Sequence, residues 1–393
     1  MWWPELEPEL AARRTQGLYR TLVPLLARQG PWVILEGKKV LNLCSNDYLG
    51  LAGHPRLAEA CARAARDWGA GAAASRLVSG DLALHEQLED KLARFKGTET
   101  ALLYSSGYQA NLGVIATLMR EGDLILSDAL NHASLIDACR LSRARVLIYR
   151  HRDLNHLEDL LRAHRSYRRK LIVTDGVFSM DGDLAPLPGL LELAAGYGAG
   201  LYVDDAHATG VLGAAGRGAA EHFGLDPRRL LIMGTLSKAL GGFGAFLAGP
   251  EVVRSYLVNF SRPLLYTTAP PPPMVAVALE ALEVLQEEPW RRQRLWELTA
   301  WFRTELRRAG FNTLDSETPI IPVVVGEAEP TLTLAGELLR QGIFLQAMRP
   351  PTVPPGSSRL RLSLTAAHTR EDLERALDAL VTAAKKLNLI PGG

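Results

Sequence analysis

The sequence predicts an α/β protein with a mostly parallel central sheet, helices on both of its faces, and a smaller C-terminal α+β domain. Three observations predict it. Short β-rich runs recur at 101–104, 124–126, 146–149, 171–174, 201–203 and 230–233. Amphipathic stretches separate them at roughly 20–30-residue spacing, as right-handed β-α-β crossovers require, because parallel neighbours cannot be joined by a tight turn. After Leu265 comes Ala269-Pro270-Pro271-Pro272-Pro273, which can neither continue a helix nor donate to a ladder, and then a long charged amphipathic segment over 274–308.

The elements follow in order. Residues 1–50 read as an N-terminal segment, 51–285 as the large domain, and 286–393 as the small C-terminal domain, whose start falls inside the charged segment. A covering helix is expected over 56–68, where Leu57, Ala60, Cys61, Ala64 and Trp68 recur at helical spacing, and another over 84–95. Near the end, Arg359-Leu360-Arg361-Leu362-Ser363-Leu364-Thr365 alternates strictly, placing three leucines on one face of a strand and the polar residues on the other.

Composition excludes several classes. With 393 residues, 47% hydrophobic and 22% charged, the chain is long enough for a sizeable core and far from disordered or collagen-like compositions. Forty-four basic against 43 acidic residues leave a net charge of +1, so no whole-chain field exists to hold nucleic acid or an anionic membrane, and any anion site must be local. Cys44, Cys61 and Cys139 are odd in number and too widely spaced for a metal knuckle, so neither a disulfide framework nor a metal site is expected. The acidic, proline-broken start MWWPELEPEL lacks the form of a secretory signal, and no apolar run is long enough to span a membrane; a cytoplasmic protein is expected.

Two strand ends carry the chemistry. Leu201-Tyr202-Val203-Asp204-Asp205-Ala206-His207 is a buried strand ending in a carboxylate, with an imidazole three residues on. In open α/β sheets ligands sit outside the carboxyl ends of strands, although an aspartate there also reads as a helix N-cap. The next strand runs into Gly234-Thr235-Leu236-Ser237-Lys238-Ala239-Leu240-Gly241-Gly242. A lysine among such small residues suits an amine nucleophile, or is simply exposed on a loop. A strand-end carboxylate and a loop lysine 34 residues later are the pair that pyridoxal phosphate demands, one for the pyridine nitrogen and one for the aldehyde carbon. Ser105-Ser106-Gly107-Tyr108-Gln109, at a strand-to-helix turn, offers backbone N–H groups and a helix dipole to a phosphate. No nucleotide phosphate loop or dinucleotide fingerprint is present.

The ordered set SNDYLGL (45–51), SSGYQAN (105–111), NHASL (131–135), TDGVFSMDGD (174–183), VDDAHATG (203–210) and GTLSKALGG (234–242) resembles the α-oxoamine synthases, over nearly the whole chain. These are fold-type I pyridoxal-phosphate enzymes that condense an amino acid with an acyl thioester. The resemblance implies that Lys238 is the Schiff-base lysine, that Asp204 partners the pyridine nitrogen, and that His207 partners the ring oxygen. Ser179 would be a further cofactor contact, Gly107, Tyr108 and Thr235 would belong to the phosphate region, and His132 would stack on the ring and meet substrate. His132 without its flanking motif reads as a core-facing loop histidine.

Within the family, the stretch 348–356 followed by RLRLSLTAAH resembles the members that join L-alanine to pimeloyl-CoA or a pimeloyl-carrier protein, and implies those substrates. Arg361 matches the arginine that grips a substrate carboxylate, for which a planar two-pronged donor is suited. Thr352 and Arg20 align with substrate-contacting positions, Arg20 alternatively lying on a solvated helix face. The resemblance further implies a homodimer with sites at the subunit boundary, Thr268 reaching a neighbour's phosphate. The loop 69–76 carries alanines where relatives often have glycine or serine. Arg165, Arg168, Arg169 and Lys170 form a basic run that suits coenzyme A phosphates, an acidic carrier or plain solvent. The competing readings are a 2-amino-3-ketobutyrate ligase, using glycine and a short acyl group, and a non-catalytic pyridoxal-phosphate-binding protein.

Overall fold

The computed structural model describes residues 1–26 and 28–390, so the last three positions of the expected 286–393 domain lie outside it. In chain order its strands are β1 (Trp32–Leu35), β2 (Lys38–Asn42), β3 (Thr100–Tyr104), β4 (Leu124–Asp128), β5 (Arg145–Tyr149), β6 (Lys170–Asp175), β7 (Gly200–Asp204), β8 (Leu231–Thr235), β9 (Ala245–Gly249), β10 (Ile320–Gly326), β11 (Ile343–Phe344), β12 (Ala347–Met348) and β13 (Ser358–Ser363). They divide between two compact units. One holds Leu49–Ser179 and Asp183–Arg292; the other holds Met1–Tyr48, Met180–Gly182 and Gln293 onward.

The larger unit is built on a seven-stranded sheet in the order β3-β9-β8-β7-β6-β4-β5. The pairs β4/β5, β4/β6, β6/β7 and β7/β8 are parallel, while β9 runs antiparallel to both β3 and β8. The expected mostly parallel sheet is therefore present, with one reversed strand that the sequence reading did not contain. β4, β6 and β9 are buried at every position, which requires cover on both faces.

The helix Pro55–Trp68 starts where Pro55 needs no hydrogen-bond partner, and the His54 ring accepts the Arg56 N–H. Leu57, Ala60 and Ala64 of its expected stripe are buried against the helix Pro272–Glu287, whereas Trp68, in the last turn, is 43% exposed. The expected helix at 84–95 spans Ala83–Lys96. Prolines 272 and 273 do not stand outside a helix: they open Pro272–Glu287, occupying the first turn, where the missing N–H costs no bond.

The other unit carries two three-stranded sheets, β1-β2-β11 and β10-β13-β12. The β1–β2 hairpin turns on Glu36 and Gly37, both at positive φ (49° and 76°), the backbone that a two-residue hairpin loop requires. The alternating segment forms β13, and both its faces are buried: every residue from Ser358 to Ser363 is buried, Arg359 on an ion pair to Asp181 and Arg361 on polar side chains. The closing helix Arg370–Lys386 is capped by Thr369 and Asp372. Among the described residues no helix is long and apolar enough to cross a membrane.

Candidate active site

In the larger unit, β3, β4, β6, β7 and β8 all run the same way, and the residues at their carboxyl ends line one cavity. Its walls include Gly107, Tyr108, Asn111, His132, Ser134, Asp175, Asp204, His207, Thr235, Ser237 and Lys238. Strand direction alone gathers residues that are up to 131 positions apart in sequence onto one rim.

Asp204 closes β7 with its side chain almost fully buried. One carboxylate oxygen accepts the Ala206 N–H at 3.0 Å, so the residue does cap the following turn. The other accepts Asn111 Nδ2 at 2.8 Å. Asn111 is itself fixed on both sides, because Tyr202 donates to its Oδ1 at 2.7 Å and its Nδ2 also reaches Ser134 Oγ at 2.8 Å.

The β8–β9 loop carries Lys238 and is closed on itself: Leu236 N–H donates to Gly244 O, Gly242 N–H to Leu236 O, and Gly241 N–H to Lys238 O. Gly241 has φ +64°, and a Cβ there would stand 2.4 Å from the Ala52 nitrogen, so only glycine fits. Lys238 is half-buried and lines the cavity, not an exposed loop lysine. Its Nζ lies 2.9 Å from His207 Nε2.

His132 caps the helix Ala133–Leu141. Its Nδ1 accepts the Ser134 N–H at 3.2 Å and sits 2.7 Å from Ser134 Oγ, which leaves the ring proton on Nε2. Burial lowers its pKa, with Lys238 adding to the effect and Asp204 opposing it. The His132 backbone N–H donates to Asp175 Oδ2 at 2.7 Å. Ser106 Oγ accepts the Gln109 N–H at 3.2 Å and caps the helix Gly107–Leu118, whose first turn opens on the cavity; Tyr108 OH bonds Asp137. Thr235 Oγ1 lies 2.8 Å from Ser237 Oγ and 3.1 Å from Gly244 O.

Seven of the expected residues thus meet in one cavity: Gly107, Tyr108, His132, Asp204, His207, Thr235 and Lys238. Ser179 is in the turn following β6 and is not part of the lining. Thr268 lines a different hollow, with Arg76, Ser105 and Thr267. Three others belong to the smaller unit. Arg20 Nη2 donates to Thr352 Oγ1 at 3.0 Å in a hollow they share with Arg349. Arg361 donates to Asn46 Oδ1 through both terminal nitrogens at 3.1 Å and to Ser363 Oγ at 2.7 Å. Asn111, Ser134, Asp175 and Ser237 were not singled out in the sequence. Asn111 offered one signal, lying one helical turn beyond Gly107 and so able to face the same rim.

The aminotransferase class I and II family model matches residues 38–380. The chain is 52% identical to an 8-amino-7-oxononanoate synthase of Geobacter sulfurreducens, over 97% of this chain and 98% of the relative. It is 48% identical to one of Symbiobacterium thermophilum, over 98% of each. Among solved structures, a serine palmitoyltransferase with pyridoxal phosphate is similar at 29% identity and TM-score 0.93, covering 98% of this chain and 99% of that one. An 8-amino-7-oxononanoate synthase from Francisella tularensis is similar at 30% identity and TM-score 0.78, covering 88% and 98%.

Proposed function

Because the chain belongs to the aminotransferase class I and II family, and within it to the α-oxoamine synthases as a pyridoxal-phosphate enzyme, we propose that it condenses L-alanine with a pimeloyl thioester. The products are 8-amino-7-oxononanoate, CO2 and the free thiol, a step of biotin biosynthesis. The observation that carries the reading is the meeting of Lys238, His207, Asp204 and His132 in one cavity of a chain about half identical, end to end, to relatives of that name.

The cavity's donor set fits the cofactor: a primary amine, a buried carboxylate, an imidazole and a helix N-terminus all open on it. Lys238 Nζ would hold the aldehyde carbon, Asp204 the ring nitrogen and His207 the ring oxygen. The turn at Gly107 and Tyr108, with Thr235, would hold the phosphate, since the first N–H groups of a helix have no partner within it. Ser179 is assigned as a further cofactor contact, and Thr268 to the phosphate of a neighbouring subunit. When bound, pyridoxal phosphate supplies an aldehyde for the amino acid's nitrogen and a protonated ring that withdraws electrons from Cα.

Every other contribution comes from the chain. Asp204 would hold the ring nitrogen's proton in place, its carboxylate oriented by Asn111 Nδ2 and the Ala206 N–H. Lys238 Nζ moves the proton at alanine's Cα, with His207 Nε2 at 2.9 Å as an acceptor for one of its own protons. His132 is held neutral by burial and presents an Nε2–H donor for a substrate oxygen. A bond forms between alanine Cα and the thioester carbonyl, the C–S bond breaks, and the alanine carboxyl leaves as CO2. Arg361 is assigned to the substrate carboxylate, and Arg20 and Thr352 to further substrate contacts. The free thiols Cys44, Cys61 and Cys139 are in keeping with a reducing cytoplasm, and the family resemblance supports a homodimer.

The test is direct. Purified protein with pyridoxal phosphate and alanine is offered pimeloyl-CoA or a pimeloyl-carrier protein, and the amino-ketone is detected by mass. Product from either donor supports the reading, while turnover confined to glycine and acetyl-CoA replaces it with the 2-amino-3-ketobutyrate ligase reaction.

A further inference from the structure

β6 and β7 are adjacent and parallel, and their last residues are register partners: Asp175 stands beside Asp204. Both carboxyls are buried, at 3% and 4% exposure, and both line the cavity. Same-side partners on neighbouring strands lie close together, so two negative charges there repel strongly in a site shielded from water. Their hydrogen bonds are unequal. Asp204 takes Asn111 Nδ2 and the Ala206 N–H, whereas the bond received by the Asp175 carboxyl from the loop above is the His132 N–H. Of two such neighbours, the carboxyl that receives fewer N–H bonds is the one that keeps a proton.

We propose that Asp175 is a neutral carboxylic acid that positions His132 through its backbone N–H and leaves Asp204 the one anion of this strand pair. Burial, the charge of Asp204 and, more weakly, Asp128 all favour the proton on Asp175; the His132 N–H and Lys238 oppose it. The device explains how a site can carry two adjacent aspartates and still present a single charge. A carboxylic acid accepts the His132 N–H through its carbonyl oxygen as a carboxylate would, so the loop is held without a second anion. The role toward His132 during catalysis rests on the reading of the cavity given above; the charge state does not.

The experiment measures the infrared C=O stretch of protonated carboxyls in the full chain, with and without pyridoxal phosphate. At neutral pH the wild-type protein is expected to show a buried protonated-acid band that is missing in Asp175→Asn. In Asp204→Asn, where the neighbouring charge is gone, the band should titrate at lower pH. Should Asp175→Asn fail to fold, Asp175→Glu must move the band instead of removing it. In turnover, Asp175→Asn, which keeps a carbonyl acceptor, should retain roughly tenfold or more activity over Asp175→Ala, which has none. A wild-type protein without the band, a band that persists in Asp175→Asn, or equal losses in the Asn and Ala variants would overturn the proposal. Absence of the amino-ketone from the wild-type enzyme sinks the activity reading instead and leaves the band untouched.

Discussion

Lys238 Nζ and His207 Nε2 lie 2.9 Å apart, an amine and an imidazole in direct hydrogen bond at the mouth of β7 and β8. When the lysine is charged it donates, so the imidazole turns a lone pair toward it and carries its own proton on Nδ1. Asp204, three residues before His207, is satisfied from the other side by Asn111. The His207 contact of the amine and the Asn111 contact of the carboxylate thus come from different elements.

Asn111 supports this separation. Asn111→Ala removes a donor from Asp204 and from Ser134 Oγ and the acceptor of Tyr202 OH, leaving three buried polar groups each short of a bond. We expect a loss of about 1–3 kcal/mol in stability by denaturant titration, and weaker pyridoxal-phosphate binding because the Asp204 charge is less supported. Asn111→Asp should be worse still, as it adds a carboxylate beside Asp204.

His151 links the end of β4 to the loop after β6 in the same unit, its Nδ1 at 2.8 Å from Asp128 and its Nε2 at 2.8 Å from Asp183, beside Arg152. Burial would lower its pKa, but the two carboxylates outweigh this and raise it to about 9. The folded pKa exceeds the unfolded value of about 6.5, so the contribution is whole below that pH and is lost as pH rises through about 9. Thermal midpoints measured from pH 6 to 10 should fall across this window, and His151→Leu should be less stable at pH 6 and lose that part of the slope.

Gly241 tests the lysine loop by backbone alone. Gly241→Ala forces a side chain into a left-handed residue already against the Ala52 backbone. A loss of roughly 2–4 kcal/mol is expected in calorimetry, with turnover falling because Lys238 is three residues away.

Arg361 is seated on Asn46 and Ser363 by three bonds from its terminal nitrogens. If it binds the amino-acid carboxylate, Arg361→Lys keeps the charge but loses the two-pronged geometry. KM for alanine should then rise about tenfold or more, with KM for the acyl thioester much less changed; an unaltered alanine KM removes the assignment.

Six of the seven strands of the large sheet were legible as short apolar runs, including β5, which is largely not buried, and β3, whose one neighbour in the sheet is antiparallel. β9 was not, since Ala245–Gly249 is small, glycine-bounded and paired with β3 almost 150 residues earlier. β1, β2, β10, β11 and β12 escaped for a related reason: β11 and β12 are two residues long, and β2 begins with two exposed lysines. Lys238, Asp204 and His207 were legible because each stands in a local motif. Asp175 and Asn111 were not, because their importance lies in what adjacent strands and a helix turn bring beside Asp204. The partners of the arginine face of β13, Asp181 and Asn46, were not legible because they are distant in the chain.

The central claim is that the Lys238 amine holds the cofactor's aldehyde. Borohydride reduction of the pyridoxal-phosphate-loaded protein, followed by peptide mass mapping, tests it most directly. The label should fall on Lys238, and Lys238→Ala should take up none and turn over roughly 10²–10⁴-fold more slowly. A label on another lysine, or full turnover by Lys238→Ala, would contradict it.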